Sequence, residues 1–161
     1  MSVALALGAV AVLAMLKPPV AVKLAGKGDF VTKFKDAARA VDMKGIPVMF
    51  AFAVAALETG WGTGKVFRNT NNLFSITAGS SWRGVTFQAS TGFTFRVYNS
   101  WTESIADFVR LISTSRLYAV AYDQARRGNA DWFFGGLQKA GYAGSDTDYA
   151  AKLSRTLGGV V

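Results

Sequence analysis

The chain has 161 residues, of which 51% are apolar and 17% are charged, and it contains no cysteine and no histidine. This composition fits one domain with a hydrophobic core, and it excludes histidine bases, thiol nucleophiles, disulfides and thiolate metal sites. Eighteen Lys and Arg against ten Asp and Glu give a net charge of +8, which favours an anionic partner such as nucleic acid, anionic lipid or an anionic cell-wall polymer.

The first sixteen residues carry no charged side chain, and Lys17 then ends the apolar run. Sixteen helical residues extend about 24 Å, which is less than the roughly 30 Å of a bilayer core. The positive charges that flank the run, at Lys17, Lys23 and Lys27, all follow it. We therefore predict an apolar N-terminal helix over residues 1–26, which is either a membrane anchor or a signal-like segment, with a buried core helix as the alternative. A single domain is predicted over residues 27–161.

Two helices are predicted at the start of this domain. Apolar residues recur at helical spacing after Asp29, which is a candidate N-cap, and Gly45 is a candidate stop. Residues 46–58 are apolar on every face, and Pro47 suits a first helical turn. A helix without a polar face belongs in a protein interior, so the second helix is predicted to be the central buried one.

A loop and a small hairpin follow. Residues 59–81 are rich in Gly, Asn, Thr and Ser, whereas residues 85–88 and 93–97 flank a short turn and predict two strands. Further helices are predicted over residues 101–113, 116–126, 131–139 and 148–157. Ser100 and Glu103 have the spacing of a capping box. The predicted fold class is α+β, mostly helical, with one small β-hairpin.

Glu58 is the residue whose position is hardest to explain by stability. It ends an apolar helix, where the helix dipole disfavours negative charge, and apolar surroundings disfavour ionisation as well. Both effects predict a raised pKa, and a carboxyl that is neutral near pH 7 can protonate a departing sugar oxygen. Glu58 is therefore a candidate general acid of a glycosidase, with a solvated Glu at a frayed helix end as the alternative.

Five short sequence motifs follow one another along the chain. They are Ala-Leu-Glu-Thr-Gly-Trp-Gly at 56–62, Asn-Asn-Leu-Phe-Ser-Ile at 71–76, Phe-Arg-Val-Tyr at 95–98, the helix at 100–111, and Ala-Gly-Tyr-Ala at 140–143 with Asp-Tyr-Ala at 148–150. Together they resemble the bacterial and phage endo-β-N-acetylglucosaminidases of glycoside hydrolase family 73. The resemblance covers roughly residues 29–157. It implies a lysozyme-like fold and hydrolysis of β-1,4 bonds in the glycan strand of peptidoglycan, without a cofactor or metal ion.

The same resemblance implies the site residues. Its general acid corresponds to Glu58, and the Tyr of its Ala-Gly-Tyr-Ala block corresponds to Tyr142, a second catalytic candidate near that acid. The predicted substrate-binding residues are Trp61, Asn71, Asn72, Phe74, Trp82, Gln88 and Tyr149. Each role has a structural alternative: the asparagines could hold the loop through backbone hydrogen bonds, and the aromatic residues could pack in the core. Trp82 is the preferred candidate for stacking on a sugar ring.

One departure from the family pattern affects the mechanism. Many members carry a second carboxylate in the hairpin, but residues 85–97 contain none, and Gln88 lies near the expected position. Three mechanisms stay open. In the first, the substrate's acetamido oxygen attacks the anomeric carbon while Tyr142 or Asn71 orients it. In the second, a carboxylate from elsewhere, Glu103 or Asp146, activates water. In the third, Glu58 alone serves as acid and then as base, as in lytic transglycosylases. Substrate assistance is favoured slightly, and Glu103 is more readily explained as a helix cap.

The functional prediction is a peptidoglycan hydrolase, either an envelope-remodelling enzyme or a phage virion-associated lysin. We expect it in the cell envelope, in the periplasm or at the membrane through residues 1–26, or in a virion. The alternative is a weak or inactive wall-binding module of the same fold, which the neutral Gln88 motivates. Nucleic-acid binding is disfavoured, because the Lys and Arg residues are scattered and form no basic stripe. Which glycosidic bond is cut stays open.

Overall fold

The computed structural model describes residues 26–160, and this part of the chain is helical apart from one short hairpin. The predicted apolar helix over residues 1–26 lies outside the described residues, except for Gly26. The elements in chain order are α1 (Lys27–Ala38), α2 (Val48–Thr59), α3 (Lys65–Thr70), β1 (Thr86–Gln88), β2 (Thr94–Arg96), α4 (Trp101–Thr114), a 3₁₀ turn (Arg116–Tyr118), α5 (Ala119–Arg126), α6 (Ala130–Lys139) and α7 (Tyr149–Gly158).

Helix α2 forms the centre of the core, as its composition predicts. Residues 51–56 are fully buried, and the helix packs against α1 and α7. The Phe50 ring stacks on Phe133 of α6 with centroids 5.8 Å apart. Burying one such aromatic side chain contributes about 2 kcal/mol, so α2 and its aromatic neighbours hold the helical layers together. Pro47 lies at the N-cap position and not in the first turn.

Two helical predictions were inaccurate. Helix α1 begins at Lys27 and ends at Ala38, well before Gly45, because the chain turns away through residues 39–47. Helix α3 lies inside the segment predicted as loop. Six residues are too few to show a helical period, and this helix depends on tertiary contacts, since Phe67 is buried against Phe30 and Trp101.

The hairpin is the only sheet in residues 26–160. Its two strands are antiparallel, with Phe87 opposite Phe95, and each is slightly shorter than predicted. Thr77 forms one further bridge to Phe95. The hairpin therefore attaches to the loop that follows α3 and lies beside the C-terminal end of the buried helix α2.

An ion pair ties this hairpin to α4. The Arg96 guanidinium lies 2.7 Å from Asp107 Oδ2, the Tyr98 hydroxyl donates to the same oxygen at 2.7 Å, and both charged side chains are only 11% exposed. Burial opposes ionisation of Asp107, but hydrogen bonds from Arg110, Tyr98 and Arg96 outweigh it and hold its pKa below the ordinary value. Because the folded-state pKa is lowered, this carboxylate contributes stability at neutral pH that is lost as the pH falls through that pKa.

We expect Asp107→Ala to destabilise the fold by about 3 kcal/mol at neutral pH, since it leaves the buried Arg96 charge without its partner. Chemical denaturation measures the change. The matched control is Asp123→Ala, whose pair with Arg127 is mostly exposed and contributes less than about 1 kcal/mol. Equal losses in the two variants would contradict a structural role for the buried pair.

The predicted cap of α4 is confirmed. The Ser100 hydroxyl accepts from the Glu103 amide at 3.1 Å, and Glu103 Oε2 in turn accepts from the Asn99 amide at 2.9 Å. The Glu103 carboxylate is therefore engaged at the start of α4. Within residues 26–160, no helix is both long and apolar enough to cross a membrane.

Candidate active site

A tight turn at the end of α2 determines where Glu58 lies. Gly60, Trp61 and Gly62 all have left-handed backbone conformations, with φ of 55°, 59° and 82°. Glycine tolerates such angles at no steric cost, which explains the glycines on either side of Trp61. The Thr59 hydroxyl donates to the Ala55 carbonyl at 2.7 Å and accepts from the Gly62 amide at 2.9 Å. These bonds end the helix sharply and leave Glu58 in its last turn.

Glu58 is partly buried. Burial raises its pKa; hydrogen bonds from Tyr149 and Ser75 lower it, the charge of Asp146 raises it, and the net shift is upward. The direction and the contribution of burial agree with the prediction, and the charge of Asp146 is a further cause. The carboxyl therefore keeps its proton to a higher pH than an ordinary glutamic acid, as a general acid requires.

Two stacked tyrosines lie behind the carboxyl. The Tyr149 hydroxyl donates to Glu58 Oε1 at 2.7 Å, and the Tyr142 ring stacks on Tyr149 with centroids 6.0 Å apart. Burial and the nearby Glu58 charge raise the pKa of both phenols, so both hydroxyls remain protonated donors. The Tyr142 hydroxyl donates to the Phe74 carbonyl at 2.7 Å. The tyrosine that contacts the acid is thus Tyr149, which was predicted as a substrate-binding residue.

A cleft of about 720 Å³ opens in front of Glu58. Glu58 and Ser75 line one side, and Phe87, Gln88 and Phe95 of the hairpin line the other. Phe87 and Phe95 are directly paired across the strands and partly exposed, so they offer apolar ring surface opposite the carboxyl. A cleft with an acid on one wall and aromatic rings on the other suits a sugar chain, whose ring faces are apolar and whose glycosidic oxygens accept protons.

These two phenylalanines were missed by the sequence analysis, which favoured other aromatic residues. Phe74 is fully buried and stacked on Phe108 with centroids 4.0 Å apart. Trp82 lies under the Arg96 guanidinium, 4.8 Å from its ring centroid, and is not part of the cleft lining. Trp61 lines a different concavity. Strand alternation in the hairpin was the signal that could have identified Phe87 and Phe95.

Asn71 and Asn72 are buried and bonded to backbone. Asn72 Nδ2 donates to the carbonyls of Ile76 at 2.8 Å and Arg96 at 3.0 Å, and Asn72 Oδ1 accepts from the Ile76 amide. Asn71 Nδ2 donates to the Tyr98 carbonyl at 3.1 Å. This geometry fits the alternative role, in which both residues hold the loop beside the hairpin. A substrate contact by either amide is not seen, and that role stays a prediction.

Gln88 lines the cleft but is engaged within the hairpin. Its Nε2 donates to the Gly92 carbonyl at 2.9 Å, and its Oε1 accepts from the Thr94 hydroxyl at 2.6 Å. Among the described residues of the cleft lining, Glu58 is the only acid. The hairpin therefore supplies no second carboxylate to this cleft, in keeping with the departure noted in the sequence.

A second acid does lie near Glu58, on its other side. Asp146 lines a smaller cavity of about 370 Å³ together with Glu58, Tyr149 and Lys152. Lys152 Nζ is 2.7 Å from Asp146 Oδ2, and this hydrogen bond lowers the pKa of Asp146. The pKa values of Asp146 and Glu58 are therefore shifted in opposite directions. Within residues 26–160, no group of three or more acidic side chains could hold a metal ion.

Comparison with known proteins agrees with this geometry. The family model for glucosaminidase, described as mannosyl-glycoprotein endo-beta-N-acetylglucosaminidase, matches residues 34–159. Peptidoglycan hydrolase FlgJ of Vibrio cholerae is 39% identical over 141 residues, which are 78% of this chain and 41% of that protein. FlgJ of Salmonella typhimurium is 34% identical, over 78% of this chain and 44% of its own length. The chain thus spans about two fifths of these relatives.

Solved structures show the same fold. A peptidoglycan hydrolase from Sphingomonas sp. A1 has a TM-score of 0.70 and 35% identity, over 82% of this chain and 87% of that one. The glycoside hydrolase domain of Salmonella typhimurium FlgJ has a TM-score of 0.66 and 29% identity, over 83% of this chain and 87% of that one. The predicted mostly helical, lysozyme-like α+β fold is confirmed. Because the family model covers most of the sequence, the chain belongs to the glucosaminidase family of glycosidases.

Proposed function

We propose that this chain is a peptidoglycan hydrolase of the endo-β-N-acetylglucosaminidase type, with Glu58 as its general acid. The observation that carries the proposal is a partly buried carboxyl, whose pKa burial raises, on one wall of a cleft whose other wall is aromatic. The similar proteins from Vibrio, Salmonella and Sphingomonas are named peptidoglycan hydrolases, which supports the choice of substrate. The net charge of +8 would concentrate the protein at a wall that carries carboxylates.

The reaction begins with proton transfer from Glu58. Tyr149 donates to Oε1, so Oε1 serves as the acceptor and the acid proton is placed on Oε2. That proton moves to the glycosidic oxygen as the bond from this oxygen to the anomeric carbon breaks, and the leaving sugar departs as a neutral alcohol. The Glu58 carboxylate that remains can then remove a proton from the water that completes hydrolysis.

The electron-deficient anomeric carbon still needs a nucleophile. Substrate assistance requires no second carboxylate, because the acetamido oxygen of the sugar attacks the anomeric carbon itself. This fits a cleft in which Glu58 is the only described acid. Asn71 and Tyr142, the predicted orienting groups, direct their polar atoms at backbone carbonyls. Gln88 is engaged within the hairpin. We therefore expect any acetamido contact to come from the other polar side chains of the cleft lining, which belong to Lys65, Ser75, Ser90 and Thr91.

Activation of water by a carboxylate is the competing route. Glu103 is engaged in the α4 cap, which leaves Asp146 as the candidate. We expect Asp146→Asn to lower kcat less than tenfold, because Asp146 lies beside Glu58 and away from the hairpin wall of the cleft. Hydrolysis of purified sacculi, with Asp148→Asn as the control, measures the change. A loss of about 100-fold or more, the range of a removed general base, together with rescue by azide, would show that Asp146 activates the water.

The test of the function itself is solubilisation of sacculi. Dye-labelled sacculi release soluble fragments if the protein hydrolyses the wall, and we expect release together with co-sedimentation. If the protein sediments with sacculi and releases nothing, it is the inactive wall-binding module that the neutral Gln88 suggested.

The location that we propose is the cell envelope, where the substrate lies, with a phage virion as the second possibility. Membrane contact through residues 1–26 is part of the same proposal. Fractionation of the producing cells tests it. Detection in the envelope fraction or in virions is expected, and detection in the cytosol alone would contradict it.

A further inference from the structure

A second concavity, of about 530 Å³, lies between α1, the turn after α2, and α7. Its charged lining residues are Lys27, Lys152 and Arg155, and none of the described residues that line it is acidic. We call it the basic concavity. Lys152 is paired with Asp146, so Lys27 and Arg155 are the cations that produce a local positive potential and attract a negatively charged ligand.

The floor of the basic concavity is apolar and rigid. Val31, Leu57 and Trp61 contribute to its lining. The Trp61 ring packs edge-on against Phe30 and Phe52, with centroids 6.3 and 5.7 Å apart, and the Lys27 ammonium lies 4.7 Å from the centroid of the indole ring. The concavity thus combines aliphatic and aromatic surface with cations, which suits a ligand that carries both carboxylates and apolar side chains.

The basic concavity adjoins the catalytic acid. Leu57 and Lys152 line both this concavity and the smaller cavity that contains Glu58 and Tyr149. The two spaces therefore share a wall. A ligand in the basic concavity could be covalently attached to a sugar that is bound at Glu58.

We propose that the basic concavity binds a carboxylate-bearing peptide attached to the sugar beside the scissile bond. The inference rests on the proposed function and adds that the enzyme recognises the peptide as well as the glycan strand. The Arg155 guanidinium can bind a carboxylate in bidentate fashion, and Lys27 provides a point charge. Val31, Leu57 and Trp61 would contact the apolar side chains. A phosphate polymer would satisfy the cations but would not use this apolar floor.

The test compares two substrates with the full chain. Intact sacculi free of phosphate polymers are compared with the same sacculi after an amidase has removed their peptides. The variant is Lys27→Ala with Arg155→Ala. The matched control is Lys35→Ala with Lys139→Ala, which removes the same charge from exposed positions outside the concavity.

We expect the ratio of kcat/KM on intact sacculi to that on peptide-free sacculi to fall about tenfold in the concavity variant, the size of one lost charge-assisted hydrogen bond, and to stay unchanged in the control. An unchanged ratio in both variants would overturn the proposal. A ratio that falls equally in both variants would also overturn it, since it would indicate only general charge attraction.

A wild-type protein that is inactive on both substrates would contradict the proposed function itself. Co-sedimentation of the protein with sacculi then shows whether the basic concavity binds the peptide. Weaker binding of the concavity variant to intact sacculi, with no difference on peptide-free sacculi, would support peptide recognition without catalysis. Equal binding of the variant and wild type to both would overturn it.

Discussion

Replacing Glu58 with Gln should lower kcat for hydrolysis of sacculi by about 10²–10⁴-fold, the range for loss of a general acid. Glutamine has nearly the same shape as glutamic acid, but it cannot give a proton to the glycosidic oxygen. The matched control is Glu103→Gln, because Gln at that position still accepts the amide hydrogen bond of the α4 cap. We expect the control to keep its activity within about twofold of the wild type.

The thermal stability of Glu58→Gln separates lost chemistry from lost structure. The pKa of Glu58 is raised in the folded protein, so stability falls as the pH rises from the unfolded-state pKa through the folded-state value. At pH 7 a neutral Gln avoids that cost, and the variant should melt at the same temperature as the wild type or higher. A lower melting temperature, or activity near the wild-type level, would contradict the assigned role.

Replacing Tyr149 with Phe should lower kcat by roughly 10–100-fold, since the carboxyl loses the hydrogen bond that orients it. This hydrogen bond also lowers the pKa of Glu58, so its removal should raise that pKa further. Because the general acid must be protonated, the decline of kcat/KM at high pH should move to higher pH. The pH profile on sacculi measures both effects.

The control for this variant is Tyr122→Phe. Tyr122 lies on α5, and its hydroxyl donates to the Lys44 carbonyl at 2.9 Å. It should change neither kcat nor the pH profile. If Tyr149→Phe lowers activity without moving the basic limb of the pH profile, which is the decline of kcat/KM at high pH, then Tyr149 stabilises the fold but does not position the acid. Tyr142→Phe should leave the limb closer to that of the wild type, since the Tyr142 hydroxyl bonds to Phe74.

Long periodic segments and strong local signals were predictable from sequence. The apolar run of α2 and the Ser100–Glu103 spacing lead directly to a buried helix and a capped one, because each pattern lies within one continuous stretch of sequence. The position of Glu58 was predictable for the same reason, since the left-handed Gly60 that ends α2 lies two residues after it in sequence. Boundaries were less accurate, as the early end of α1 shows.

Features that depend on distant contacts were not predictable in detail. Helix α3 is stabilised by the burial of Phe67 against Trp101, thirty-four positions later, and no local pattern reports such a contact. Which aromatic residues face the cleft depends on how the hairpin lies beside α2, so Phe87 and Phe95 were missed while Trp82 was preferred. Tyr142 and Tyr149 are stacked, and sequence alone did not show which hydroxyl reaches Glu58.

Mass spectrometry of the muropeptides that wild type and Glu58→Gln release from purified sacculi tests the central claim most directly. We expect new reducible N-acetylglucosamine ends from the wild type and none from the variant. Reducible N-acetylmuramic acid ends would show that the other bond is cut, and 1,6-anhydro ends would indicate a transglycosylase. The account would be contradicted if both proteins released the same products, because cleavage would then not depend on Glu58.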